Sequence, residues 1–99
     1  MVRHIVLWQY TDEIRNGDPD RTTALIREKF EALLGVIPGL LTIEIGQNYK
    51  KDSEYDIALY CEFATREDEK NYQTSPEHVA IKNLTKDWVC GRASMDYEI

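Results

Sequence analysis

The segment Asn71-Tyr72-Gln73-Thr74-Ser75-Pro76-Glu77-His78-Val79 stops one helix and starts another. A serine hydroxyl can cap the free amides at a helix start, and proline fits the first helical position. On one continuous helix each residue turns about 100°, which would send Tyr72 and His78 to well-separated faces. The Ser75-Pro76 break removes that constraint. A phenol and an imidazole can then converge on one pocket.

Reading outward from this segment defines the other elements. Downstream, Ala80, Ile81, Leu84 and Trp88 predict the buried side of the new helix, and Gly91 releases the chain into a last strand, Arg92 to Glu98. Upstream, Thr65-Arg66-Glu67-Asp68 resembles a capping box and starts a short helix that runs to about Gln73. Tyr55 to Phe63 is the most apolar strand: Ile57, Leu59, Cys61 and Phe63 alternate with Asp56, Ala58, Tyr60 and Glu62. A charged turn, Lys50 to Glu54, precedes it. Leu40 to Tyr49 reads as a strand with Leu41, Ile43 and Ile45 on one face. Asp18-Pro19 opens a helix whose stripe is Ile26, Phe30, Leu33 and Ile37, ended by Pro38-Gly39. Thr11 to Asp18 reads as a polar loop. Arg3 to Tyr10 is a first strand, with His4, Val6, Trp8 and Tyr10 on one face and Ile5 and Leu7 on the other.

The order is strand-helix-strand-strand-helix-strand, with the second helix split. It predicts a single α+β domain over residues 1–99, of the ferredoxin-like βαββαβ kind. Its helices can cover only one face of a four-stranded sheet. The other face carries Ile5, Leu7, Ala58 and Tyr60, too apolar to stand in water without cause. A homodimer packed sheet to sheet is therefore expected.

The charge balance, 12 basic against 18 acidic residues for a net −6, argues against nucleic-acid and anionic-membrane partners. No apolar run approaches the roughly 18 residues of a membrane span. The first residues enter a strand pattern directly, without a signal-peptide profile. Cys61 and Cys90 lack metal-ligand spacing and read as reduced, mostly buried thiols. Together these suggest a cytoplasmic protein with no metal site.

Val2-Arg3-His4-Ile5-Val6-Leu7, Tyr55-Asp56-Ile57-Ala58-Leu59, Tyr72 with Pro76-Glu77-His78-Val79, and Met95-Asp96-Tyr97 resemble the stress-responsive A/B barrel (Dabb) family along essentially the whole chain. The resemblance implies a dimeric α+β barrel of two ferredoxin-like subunits. One plant member, olivetolic acid cyclase, closes a poly-β-keto thioester by aldol condensation without a redox cofactor. It uses a tyrosine and a histidine spaced as Tyr72 and His78 are here. That match implies catalytic roles for Tyr72 and His78 and a pocket position for His4. Some members also bind a cation on backbone carbonyls, where Leu34, Ile37 and Leu40 would match.

An imidazole can take a proton from a carbon flanked by carbonyls, and a phenol can donate a hydrogen bond to the enolate. His4, Val6, Trp8, Phe30, Leu59, Cys61 and Trp88 are the candidate substrate-binding residues of a mostly apolar pocket for a small carbonyl ligand. Each has a plainer reading. His78 can hydrogen-bond nearby backbone, Tyr72 can be a core aromatic, His4 a satisfied core histidine, and the two tryptophans packing. Glu77 and Trp8 stand where the cyclase has smaller side chains, which shortens or blocks a tunnel for a long alkyl chain. The functional readings are three: a cofactor-free cyclase, lyase or isomerase; a non-catalytic stress-response or ligand-binding dimer; and a monooxygenase of a related barrel type.

Overall fold

The computed structural model describes Met1–Ile99 and centres on two antiparallel strands, β1 (Val2–Tyr10) and β3 (Ile57–Phe63). β2 (Leu40–Gln47) flanks β3 and β4 (Val89–Glu98) flanks β1, giving the antiparallel order β2-β3-β1-β4. α2 (Pro19–Glu31), α3 (Arg66–Thr74) and α4 (Pro76–Thr85) complete a ferredoxin-like βαββαβ unit with its second helix split. A short α1 (Asp12–Asn16) lies where a loop was expected, tied to the sheet by Arg15 Nη2 donating to Asp56 at 2.8 Å.

The core lies between the helices and one sheet face. Val2, Val6 and Tyr10 of β1 and Ile57, Leu59, Cys61 and Phe63 of β3 meet Ile26, Phe30, Leu33 and Ile37 there. This is the alternation of a sheet against the stripe of a helix. The caps agree with the sequence. Asp18 accepts from the Arg21 amide, Thr65 from that of Asp68, and Ser75 from that of His78.

Several further local readings change. α2 ends at Glu31, and Leu33 and Ile37 reach the core from successive turns. Gly35, at φ +87°, provides the left-handed step that ends the regular spiral. In β2 a register shift between Leu40 and Thr42 turns Leu40 inward and Leu41 out to solvent. α4 buries His78, Ile81 and Thr85, so Ala80 and Leu84 are exposed. Trp88 lies beyond α4, half-buried in the turn before β4.

Gly91 lies inside β4 rather than before it. Leu7 pairs with Ala93 while Gln9 pairs with Cys90, so Gly91 and Arg92 together oppose Trp8. Gly91 has φ +58°, the left-handed first residue of a β-bulge. The other sheet face carries Ile5, Leu7, Ala58 and Tyr60, extended on β4 by Ala93 and Met95, and no helix covers it. Met95 there is 62% exposed. No helix is long and apolar enough to cross a membrane.

Candidate functional site

One serine hydroxyl joins the two halves of the split helix. Ser75 Oγ accepts the His78 amide at 3.3 Å and donates to the Tyr72 carbonyl at 3.0 Å. This brings the rings of Tyr72 and His78 into a stack, centroids 4.0 Å apart and planes within 15°. His78 Nδ1 lies 3.2 Å from the Tyr72 carbonyl oxygen. A carbonyl only accepts, so Nδ1 carries the proton and Nε2 keeps its lone pair in the neutral ring. Burial lowers the His78 pKa from 6.5 to about 4, against the Tyr72 carbonyl, with Lys82 and His4 adding to the downward shift. The ring is neutral at pH 7.

Tyr72 itself is fully buried, and its hydroxyl is sealed from solvent without a partner. Burial raises the phenol pKa, with Cys61 and Glu69 acting in the same direction. The hydroxyl therefore stays protonated.

His4 is the second buried imidazole. The register of β1 and β4 sets it opposite Asp96, and its Nδ1 lies 2.5 Å from Asp96 Oδ1. In a neutral ring with the carboxylate accepting from Nδ1, the lone pair of His4 is on Nε2. Glu69 approaches from α3. Ligand-capable atoms of His4, Glu69 and Asp96 all lie within 4.8 Å of one another, a donor set able to take a divalent cation. The carbonyl of Ile37, one of the three expected of a backbone cation site, accepts the Leu40 amide at 3.3 Å.

A cleft of about 470 Å³ opens between α4 and the sheet. Five of the residues expected at a pocket line it: His4, Val6 and Trp8 from β1, Leu59 from β3, and His78 from α4. The other four do not. Tyr72 stacks on His78 without reaching the cleft wall. Cys61 is fully buried, its thiol pushed up to about 12 by burial. Phe30 sits in the core, its ring centroid 6.4 Å from those of both Trp8 and His78. Trp88 packs against the core from its turn. Cys90 proves to be exposed.

Gln73, Lys82, Thr85 and Arg92 complete the lining, and none was anticipated. Two carried a signal in the sequence. Lys82 and Thr85 come four and seven residues after His78, which is one helix face. Arg92 alternates with Ser94 and Asp96, but only the bulge settles which face that series takes.

Fold and cleft define a ferredoxin-like α+β subunit with a two-histidine cleft beside its split helix. The chain belongs to the Dabb family: the Stress responsive A/B Barrel Domain matches residues 2–99. It is similar to a dimeric protein of unknown function and ferredoxin-like fold from Bacteroides fragilis, 36% identical over 99% of this chain and 95% of that one, TM-score 0.89. At fold level it is similar to a dimeric ferredoxin-like protein of unknown function from Thermobifida fusca, 21% identical over 99% of this chain and 90% of that one, TM-score 0.82. The hydroxynitrile lyase of Passiflora edulis shares the fold at 18% identity over 99% of this chain and 92% of that one, TM-score 0.77. Among curated proteins none matches.

Proposed function

We propose that this protein is a homodimeric, cofactor-independent enzyme that moves a proton on a small carbonyl compound, in a cyclisation, isomerisation or lyase step. One observation carries the reading. Two imidazoles line one cleft, His4 from the sheet and His78 from α4, and each has Nδ1 engaged by an oxygen acceptor while neither Nε2 has a protein hydrogen bond. In the neutral form, a ring held this way has its lone pair on Nε2, the nitrogen left to accept a proton.

In this scheme His78 Nε2 takes a proton from the carbon beside a carbonyl. The C–H bond breaks, an N–H bond forms, and the electron pair moves to the carbonyl oxygen as an enolate. Thr85 also lines the cleft, and its hydroxyl is the candidate donor to that oxygen. With a pKa of about 4 the ring is a weak base, present at pH 7 in the neutral form that can accept a proton. Val6, Trp8 and Leu59 provide an apolar floor for the carbon skeleton. Tyr72 acts as a positioning residue, through its carbonyl and its ring. His4, oriented by Asp96, is the second proton acceptor.

The dimer is inferred from the uncovered face around Ile5, Leu7, Ala58 and Met95. The Bacteroides relative is dimeric, and sheet-to-sheet packing would bury this face while leaving the cleft open on the other side.

The test is deuterium exchange at the α-carbon of ethyl 3-oxobutanoate, monitored by proton NMR in deuterated buffer. Exchange faster than in buffer and saturable in the ester supports the reading. Exchange at the buffer rate contradicts it and leaves a non-catalytic binding protein.

A further inference from the structure

We propose that the cleft prefers carbonyl compounds that carry a carboxylate over neutral ones, and that Lys82 and Arg92 form its anion subsite. The position of the reacting carbonyl rests on the proton-transfer reading above. The anion subsite rests on its own observations.

The first is charge. The chain has 18 acidic and 12 basic residues, yet the cleft lining contains Lys82, Arg92 and two histidines and no carboxylate. Nor does either cation have a carboxylate within 4.0 Å; the one side-chain hydrogen bond of the two is Arg92 Nη1 to Ser94 Oγ at 3.3 Å. Elsewhere Arg3, Arg15 and Arg66 pair with Glu62, Asp56 and Glu98. Two cations without an ion-pair partner thus line one concavity of an acidic protein.

The second is placement. Lys82 lies one helical turn beyond His78, so their β-carbons are about 5–6 Å apart on one face of α4. Arg92 comes from the opposite wall, on β4. In the register set by Tyr10 and Val89, Arg92 would pair with Leu7 and face away from the helices; the extra residue at the Gly91 bulge instead puts it with Trp8 on the cleft side. Bulges commonly re-aim a side chain beside a site. A guanidinium fork and an ammonium suit a carboxylate, which accepts two parallel hydrogen bonds. The apolar floor of Val6, Trp8 and Leu59 suits the rest of a small organic acid.

The chain has two histidines and both line the cleft, so their ring protons report binding directly. Titrate the protein with benzoate and with benzamide, matched in shape and different in charge, and monitor the two histidine Hε1 resonances. Repeat with Lys82→Gln/Arg92→Gln, two solvent-exposed side chains, and with Arg92→Lys. The proposal expects saturable shifts with benzoate. It expects benzamide to bind roughly tenfold more weakly, the double variant to lose benzoate affinity by a similar factor with its melt unchanged, and Arg92→Lys to retain part of it. No shift with benzoate, equal binding of benzamide, unaltered affinity in the double variant, or tighter binding of inorganic phosphate than of benzoate would each overturn it. If the neutral ester exchanges but benzoate does not bind, the anion subsite falls and the proton-transfer reading stands. If benzoate binds but the ester does not exchange, the reverse holds.

Discussion

His78 and Tyr72 are joined twice: the ring of one stacks on the ring of the other at 4.0 Å, and its Nδ1 donates to the other's carbonyl oxygen at 3.2 Å. That oxygen also receives the Ser75 amide at 3.2 Å and the Ser75 hydroxyl at 3.0 Å. Losing the imidazole would therefore not strand the carbonyl. The cost of changing His78 lies in packing, and the consequence lies in the cleft.

Stability should depend on pH through this ring. Its pKa is about 4 in the folded protein against 6.5 ordinarily. Between those values the unfolded chain binds the proton and the folded chain does not. Stability is thus greatest above pH 6.5, falls as pH drops toward 4, and levels off below. The full crossing amounts to about 3 kcal/mol. Urea unfolding at several pH values should show a steeper acid loss in the wild type than in His78→Asn, because the carboxylates common to both proteins cancel in the difference. Parallel curves would mean that the buried ring takes its proton at an ordinary pH.

Tyr72→Phe should leave the protein at least as stable. A buried hydroxyl without a partner costs about 1–3 kcal/mol in desolvation, and the Tyr72 hydroxyl is such a group. Thermal melts should be unchanged or higher by a few degrees, with ester exchange retained. A lower melt would show that the hydroxyl has a partner. Lost exchange would show that it reaches the ligand.

Gly91→Ala should destabilise the fold by about 1–2 kcal/mol, the cost of a β-carbon in the left-handed region. The added carbon would also stand 2.6 Å from Gln9 Oε1, the end of a flexible side chain that can move aside. Because this residue sets the face taken by Arg92, benzoate should bind more weakly as well. Chemical denaturation and the NMR titration read the two effects separately. A melt equal to the wild type would mean that the bulge is not held at a positive φ.

Leu7→Glu should yield a folded monomer. Leu7 lies near the middle of the uncovered sheet face, opposite Ala58 on one side and Ala93 on the other. A carboxylate there would be buried without a partner in a sheet-to-sheet dimer, which is strongly unfavourable. Light scattering should give twice the chain mass for the wild type and once for the variant. Equal masses would place the interface elsewhere.

Periodicity carried most of the fold. The alternation of Ile57, Leu59, Cys61 and Phe63 and the spacing of Ile26, Phe30, Leu33 and Ile37 both report the core, because burial imposes those periods. The places that escaped are those where one residue breaks a period. The shift at Leu41 and the bulge at Gly91 each invert the face taken by the neighbouring strand residues; the first has no side-chain marker, and the glycine of the second reads equally as a strand start. The bulge hid Arg92 in the same way, while Lys82 and Thr85 shared a helix face with His78 whose direction the sequence left open. His4, Val6, Trp8, Leu59 and His78 were visible as strand faces and a helix start. Lys82, Thr85 and Arg92 look like ordinary surface residues until α4 is seen to turn a polar stripe toward the sheet.

His78→Asn provides the most direct test. The asparagine amide can still donate to the Tyr72 carbonyl, but it cannot take up a proton. Measured as deuterium exchange into ethyl 3-oxobutanoate at pH 7, the wild type should exceed buffer and the variant should fall by about 10²–10⁴-fold or to the buffer rate, while remaining folded. Wild-type exchange rates in a folded His78→Asn protein would contradict the assignment of His78 as the proton acceptor.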